Sequence, residues 1–416
     1  MKKAVLKSSV LLLSLVVSSI ALAQAPAAAP EAKKDEIVKT VVPYGILEAQ
    51  TNLSDTERQN TPDFRTYIVR FGLKVSEGLL RGQLETNING NTSNPKITKD
   101  GVVLRRADVG LALPSKTTIL FGRTRMGNAD AWGMDLTYAT DGFGGLDGFQ
   151  IQQEIPVSEG NSVGLRLGIG NALSVPGSKE YATIVNSSKK EKAIIGGLSA
   201  KISGVKAAFI YGVEKNSITE AFVATVAADA AKNVTEVKGA GKTRDAAHME
   251  ASLGYDMDGL GGGVWFERIT QGVAKPITKI DGGKLTLGDG ATDDDSVEKT
   301  SDIFGIGVNG DTTLFGVADL LQKGDKIVYG ASYELFTDRS KFKDDATATA
   351  SSKKTAEKDA DKSQYVVGVG YAIGGAVFEF DVRIDQSKAK QFANSKGEKD
   401  KNKTATVTEI AATYVF

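Results

Sequence analysis

The chain has 416 residues, no cysteine, one histidine, and 51 basic residues balanced by 51 acidic ones. Without cysteine there is no disulfide scaffold, and a balanced charge argues against a nucleic-acid partner. One histidine leaves no His-rich metal site and no catalytic triad with a spare base.

The elements follow in chain order. Met1, Lys2, Lys3 and Lys7 make a basic start, and Val10–Val17 is an apolar run too short to span a bilayer. Ala21-Leu22-Ala23 has the small-x-small form of a cleavage site, so residues 1–23 read as a secretory signal peptide. Losing its three lysines leaves 48 basic against 51 acidic residues, a net −3 for the mature chain. Residues 24–36 are rich in Ala and Pro and read as a flexible lead-in. The rest, 37–416, reads as one domain.

Within that domain the helical period is scarce and period two recurs almost throughout. Val163, Leu165, Leu167 and Ile169 alternate with Gly164, Arg166, Gly168 and Gly170. Ala376, Phe378, Phe380, Val382 and Ile384 alternate with Val377, Glu379, Asp381, Arg383 and Asp385. The predicted strands are 41–53, 64–75, 78–89, 101–113, 117–125, 146–155, 162–171, 191–201, 204–214, 246–256, 260–270, 300–310, 312–321, 326–336, 363–372, 375–385 and 405–416. Their usual length of about ten residues is the span of a tilted membrane strand.

The connections alternate between short and long. Short ones lie at Ser76-Glu77, Pro114–Lys116, Ser158–Asn161, Ser203, Met257–Gly259 and Ile373-Gly374. Long polar ones cover 54–63, 90–100, 126–145, 172–190, 215–245, 271–299, 337–362 and 386–404. A soluble sandwich has no reason to sort its loops this way, whereas a barrel crossing a membrane does. Seventeen strands cannot begin and end on the same side, so one is surplus. Two short turns would follow each other between Ser301 and Phe336, which marks 312–321 as a longer turn or as part of a neighbouring strand. The expected fold is therefore all-β: an antiparallel transmembrane barrel of 16 strands, with 18 as the alternative.

In hydrocarbon every backbone donor and acceptor must pair within the protein, so only helices and closed barrels survive. No stretch of the mature chain supplies a spanning helix. The last strand should then pair with the first, near Tyr44. Its alternation sends Ile410, Ala412, Tyr414 and Phe416 to lipid and Glu409, Ala411 and Thr413 to water. Elsewhere alternation turns Arg70, Lys74, Arg81, Gln83, Glu85, Arg166, Lys206, Glu379, Asp381 and Arg383 toward the lumen.

Four stretches carry a resemblance. They are Tyr67–Lys74 (YIVRFGLK) with Gly82–Glu85, Arg105–Leu111 (RRADVGL), Leu120–Arg123 (LFGR), and the terminal Tyr414 and Phe416. In order and spacing they resemble the general diffusion porins of Gram-negative outer membranes. The local matches cover the N-terminal third and the last strand; the middle is similar only in architecture. The resemblance implies a homotrimer in the outer membrane, contact with its lipid and lipopolysaccharide, and delivery by the barrel assembly machinery, with Tyr414 and Phe416 as assembly signal. It also implies a third loop folded into the lumen, making a constriction of loop acids against wall arginines. Arg70, Arg105 and Arg123 match the wall positions, with Arg106 competing with Arg105. The loop acids are Asp130, Asp135 and Asp141. The loop lacks the Pro-Glu-Phe-Gly-Gly form of enteric members, although Asp141–Gly145 (DGFGG) is close. Arg123→Ala is expected to shift selectivity at unchanged folding.

No catalytic residue, metal site or cofactor is expected. Ser252 stands near His248 without a supporting motif, and Asp293–Asp295 lacks the alternating ligand spacing of a calcium loop. The expected function is passive diffusion of ions and small hydrophilic solutes. A structural or adhesive surface barrel is the alternative, and so is a substrate-selective porin; of an aromatic sugar track only scattered candidates such as Trp132 and Tyr138 are present.

Overall fold

A computed structural model describes residues 39–55, 63–88, 102–124, 146–172, 192–218, 223–228, 234–281, 284–288, 297–313, 324–342, 359–390 and 403–415. Every regular element among them is a β-strand. In chain order these are β1 (Lys39–Asp55), β2 (Asp63–Glu77), β3 (Leu80–Ile88), β4 (Val102–Ala112), β5 (Thr117–Thr124), β6 (Leu146–Ser158), β7 (Asn161–Ala172), β8 (Lys192–Ile202), β9 (Val205–Ile218) and β10 (Val223–Ala228). They continue as β11 (Val234–Met257), β12 (Leu260–Gln271), β13 (Lys275–Asp281), β14 (Lys284–Leu287), β15 (Val297–Asp311), β16 (Lys326–Phe342), β17 (Asp359–Ile373), β18 (Ala376–Lys390) and β19 (Lys403–Val415).

Sixteen of these strands close into an antiparallel barrel. Each pairs with the next barrel strand in sequence, and β19 returns to β1, with Tyr414 opposite Leu47 and Ile410 opposite Thr51. Closure leaves the ring of sixteen strands without an edge, so β19 is paired on both sides. The other three strands ride on β11, whose 24 residues outrun the barrel. Its first half pairs with β10 on one edge and β13 on the other, and β14 extends β13. These additions fall inside the long connections 215–245 and 271–299, where β10 (VATVAA) is apolar on both faces and β14 is only four residues long, so neither shows a clear alternation.

The seventeenth predicted strand has no place in the sheet. β15 pairs directly with β16 from Val297↔Phe342 to Asp311↔Val328. Thr312 and Thr313 form a turn, and residues 314–321 lie outside the described residues. The count is therefore sixteen and not eighteen. At the same end of the barrel the hairpins are tight: Glu159-Gly160 and Asp258-Gly259 each turn on a glycine at φ 72 and 75°, a conformation cheap only without a Cβ.

Alternation sorts the two faces. Phe71, Val109, Phe121, Phe209, Tyr211, Leu253, Val367, Phe378 and Tyr414 are exposed on the outside. So much open apolar surface is untenable in water and is the natural coat of a lipid-facing barrel. The inner face carries the buried polar side chains Glu85, Gln150, Glu214, His248, Glu250, Glu267, Glu334 and Glu409. Residues 1–38, including the predicted signal peptide and the whole lead-in, lie outside the described residues, as does Phe416.

Candidate functional site: the charged inner wall

Much of the inner face is polar, interrupted by the buried apolar cluster of Leu146, Ala193, Ile195 and Ile210. On β1 to β4 the polar wall starts from Tyr44, whose hydroxyl donates to Oε2 of Glu85 at 2.8 Å and accepts from the Gln83 amide. Gly72 lies directly under the Tyr44 ring, where any Cβ would collide with it. Arg70 flanks the same carboxylate, Nε to Oε1 3.8 Å, and Arg106 donates to Oε1 of Gln83 at 2.8 Å. Nε of Arg106 also lies 3.6 Å from Asp108. Lys74 places its ammonium 4.8 Å from the centre of the Tyr44 ring, a cation–π contact. Arg166 on β7 stands on the same inner face and feels the charge of Arg106.

Around the barrel the sign changes. Glu214 of β9, Glu250 of β11, Glu267 of β12 and Glu334 of β16 are all buried on the inner face. Trp265 covers Gly305, where again no Cβ would fit, and donates its indole N–H to Oε1 of Glu334 at 3.2 Å. His248 stands two residues before Glu250 on the same face, with Nε2 2.7 Å from Glu267. Near the seam, Arg383 of β18 pairs with Asp385 at 3.0 Å and reaches Glu409 of β19 at 3.6 Å, beside Asp381. In the strand order, β2 and β11 stand half the circumference apart, as do β3 and β12. Arg70 and Glu250 are thus on opposite walls.

The predicted site residues divide. Arg70, Lys74, Arg81, Glu85, Arg166, Glu379, Asp381 and Arg383 are on the inner face in the strand register. Between Arg105 and Arg106 the register decides. Pairing passes from Glu85↔Arg106 to Thr86↔Leu104, so Arg105 is the extra residue of a β-bulge. The bulge resets the parity: Leu104 and Val109 are both exposed outside, and Arg106 takes the inner position. The side chain of Arg105 lies outside the described residues.

Arg123 corrects the expectation from the resemblance. It pairs across with Ala107 and Asp147, on the same face as exposed Val109 and Phe121 and half-buried Phe149. Its guanidinium binds Asp147 with two bonds, Nε to Oδ1 and Nη2 to Oδ2, both 3.0 Å. Leu120 occupies the buried face instead, so Arg123, three residues on, stands outside. The loop acids Asp130, Asp135 and Asp141 lie outside the described residues, as do Trp132 and Tyr138; Tyr414 is exposed on the outer face.

Sequence reasoning missed the acidic wall and its histidine. The signal was present: His248-x-Glu250 at strand spacing, a tight turn at Asp258-Gly259, and Glu267 at the mirrored distance beyond it.

A closed sixteen-strand barrel, apolar outside and charged within, is a porin-like barrel. No family model matches the chain, and no curated protein does. Among solved structures it is similar to OmpT, an outer membrane protein of Vibrio cholerae, at 14% identity and TM-score 0.52, covering 92% of this chain and 100% of that one. A trimer form of the same protein matches at 13% identity and TM-score 0.50, covering 91% and 100%. The outer membrane channel DcaP of Acinetobacter baumannii matches at 11% identity and TM-score 0.50, covering 93% and 100%. At such identities the likeness is one of fold.

Proposed function

We propose that the chain is exported through a cleaved signal peptide and forms, in the outer membrane, a water-filled channel for passive diffusion of ions and small hydrophilic solutes. The observation that carries this reading is the sorting of faces: a closed barrel with open aromatics outside and two oppositely charged walls within. A sheet with this outer coat must meet lipid, and a sixteen-strand barrel is wide enough to leave an aqueous lumen. A homotrimer is the assembly that fits, since one neighbour of this fold has a trimer form. Lipopolysaccharide and the barrel assembly machinery are the partners that follow from this location.

Conductance of the purified protein in a planar bilayer tests the reading. Stepwise openings, in triplets for a trimer, are expected. A barrel that inserts and passes no current would overturn it and favour a structural or adhesive surface protein. Selectivity for one solute would show as current block by that solute alone.

A further inference from the structure

The only histidine, His248, stands on the inner face of β11 two residues from Glu250, so alternation puts both side chains on one side. The register sets Glu267 of β12 directly opposite Glu250, and therefore diagonal to His248. Nε2 of His248 lies 2.7 Å from Oε1 of Glu267 and 3.2 Å from Oε1 of Glu250. One ligand atom from each residue falls within 4.8 Å of the others. All three side chains are more than nine-tenths buried, with exposures of 7, 8 and 5%. We propose that His248, Glu250 and Glu267 form a site on the lumen wall for one divalent transition-metal ion of the zinc class.

The donor set selects the ion. Calcium and magnesium take all-oxygen shells, whereas an imidazole nitrogen with two carboxylates suits zinc, cobalt or nickel. Bonds of about 2.1 Å in a tetrahedral shell hold ligand atoms roughly 3.4 Å apart. The two His248 separations, 2.7 and 3.2 Å, lie within about 0.7 Å of that, and the widest, within 4.8 Å, closes by at most about 1.4 Å. Two carboxylates around one imidazole carry a net negative charge on a buried wall, and a dication neutralises it where the local dielectric makes the attraction strong. Three protein ligands leave a position open for water from the lumen. The neighbours fit: Gly212 opposite His248 on β9 adds no bulk, and Ser252 and Trp265 close the next row. The competing reading is a hydrogen-bonded trio that braces β11 to β12 and binds nothing.

Direct binding separates the two, and needs no conductance, so it stands or falls apart from the channel reading. The full barrel, without a histidine tag, is refolded in detergent, stripped with a chelator and titrated with zinc chloride in a calorimeter. One saturable equivalent per chain is expected. His248→Gln and Glu267→Gln should each weaken it by at least the roughly 10- to 100-fold that loss of a mere supporting group costs. Glu379→Gln, an inner-face acid on β18, should leave it unchanged. Cobalt(II) should give a visible absorption band in the parent protein that His248→Gln abolishes. Heat-modifiable mobility on gels checks folding, and Glu250→Gln replaces any variant that fails it. Absence of saturable binding, or equal binding in parent, His248→Gln and Glu267→Gln, would overturn the site.

Discussion

At Gly305 of β15 the side chain of a neighbour does what a Cβ cannot. The Trp265 ring lies flat across the glycine and so brings its indole N–H to Glu334, which is buried to 1%. An unmade hydrogen bond to a buried carboxylate is costly, so the glycine supports the charge by letting the tryptophan lie over it. Gly305→Ala should push the ring away and reduce the unfolding free energy in denaturant by about 1–3 kcal/mol, the range for overpacking. Its tryptophan emission should shift with it. Gly196→Ala, where a Cβ meets nothing within 4 Å, should stay within about 0.5 kcal/mol. Equal losses at the two glycines would remove the ring contact as the cause. None of this is readable from the sequence: the pairing of Trp265 with Gly305 depends on the register of two strands separated by a long connection.

Strand existence, by contrast, was legible, because one apolar face and one polar face impose period two on every membrane crossing. Legibility ended where that physics ended. β16 and β18 run on to Phe342 and Lys390, past the predicted ends at 336 and 385, since a ladder of backbone hydrogen bonds continues where neither face needs to be apolar. The bulge at Arg105 and the outward Arg123 were lost for a related reason: one extra residue inverts the faces of everything beyond it, and a likeness of motif does not report parity. That same sensitivity gives a test at the closing strand. Deleting Ala412 from β19 would move Glu409 to the outer face and Ile410 to the inner one while Tyr414 still faces lipid, or slip the strand against Leu47 and Ala376. Either way charge meets lipid or the seam opens, so folded, heat-modifiable protein should fall below detection. Ala412→Val, outward and register-neutral, should fold as the parent does. A deletion variant that closes normally would show that β19 is not held by this register.

The whole molecule sets one charged wall against another. Arg70, Arg106 and Arg166 stand on β2, β4 and β7, and Glu214, Glu250, Glu267 and Glu334 on β9, β11, β12 and β16. A near-neutral total charge hides this arrangement, which is why composition excluded partners yet did not locate the site. Opposed rows of charge across a narrow lumen create a transverse field and tune which ion passes. Neutralising one row should therefore shift selectivity in the direction of the row that remains. With chelator present to keep metal out, Glu267→Gln and Glu334→Gln should move the zero-current potential in a salt gradient toward anion selectivity. Arg70→Gln and Arg166→Gln should move it toward cations. Both shifts should shrink between about 0.1 M and 1 M salt, as the screening length falls from roughly 10 Å to 3 Å. Arg123→Ala should move neither, because its guanidinium and Asp147 stand on the outer face. If Arg123→Ala shifts the potential while Arg70→Gln and Glu267→Gln do not, the inner wall described here is not the one that ions meet.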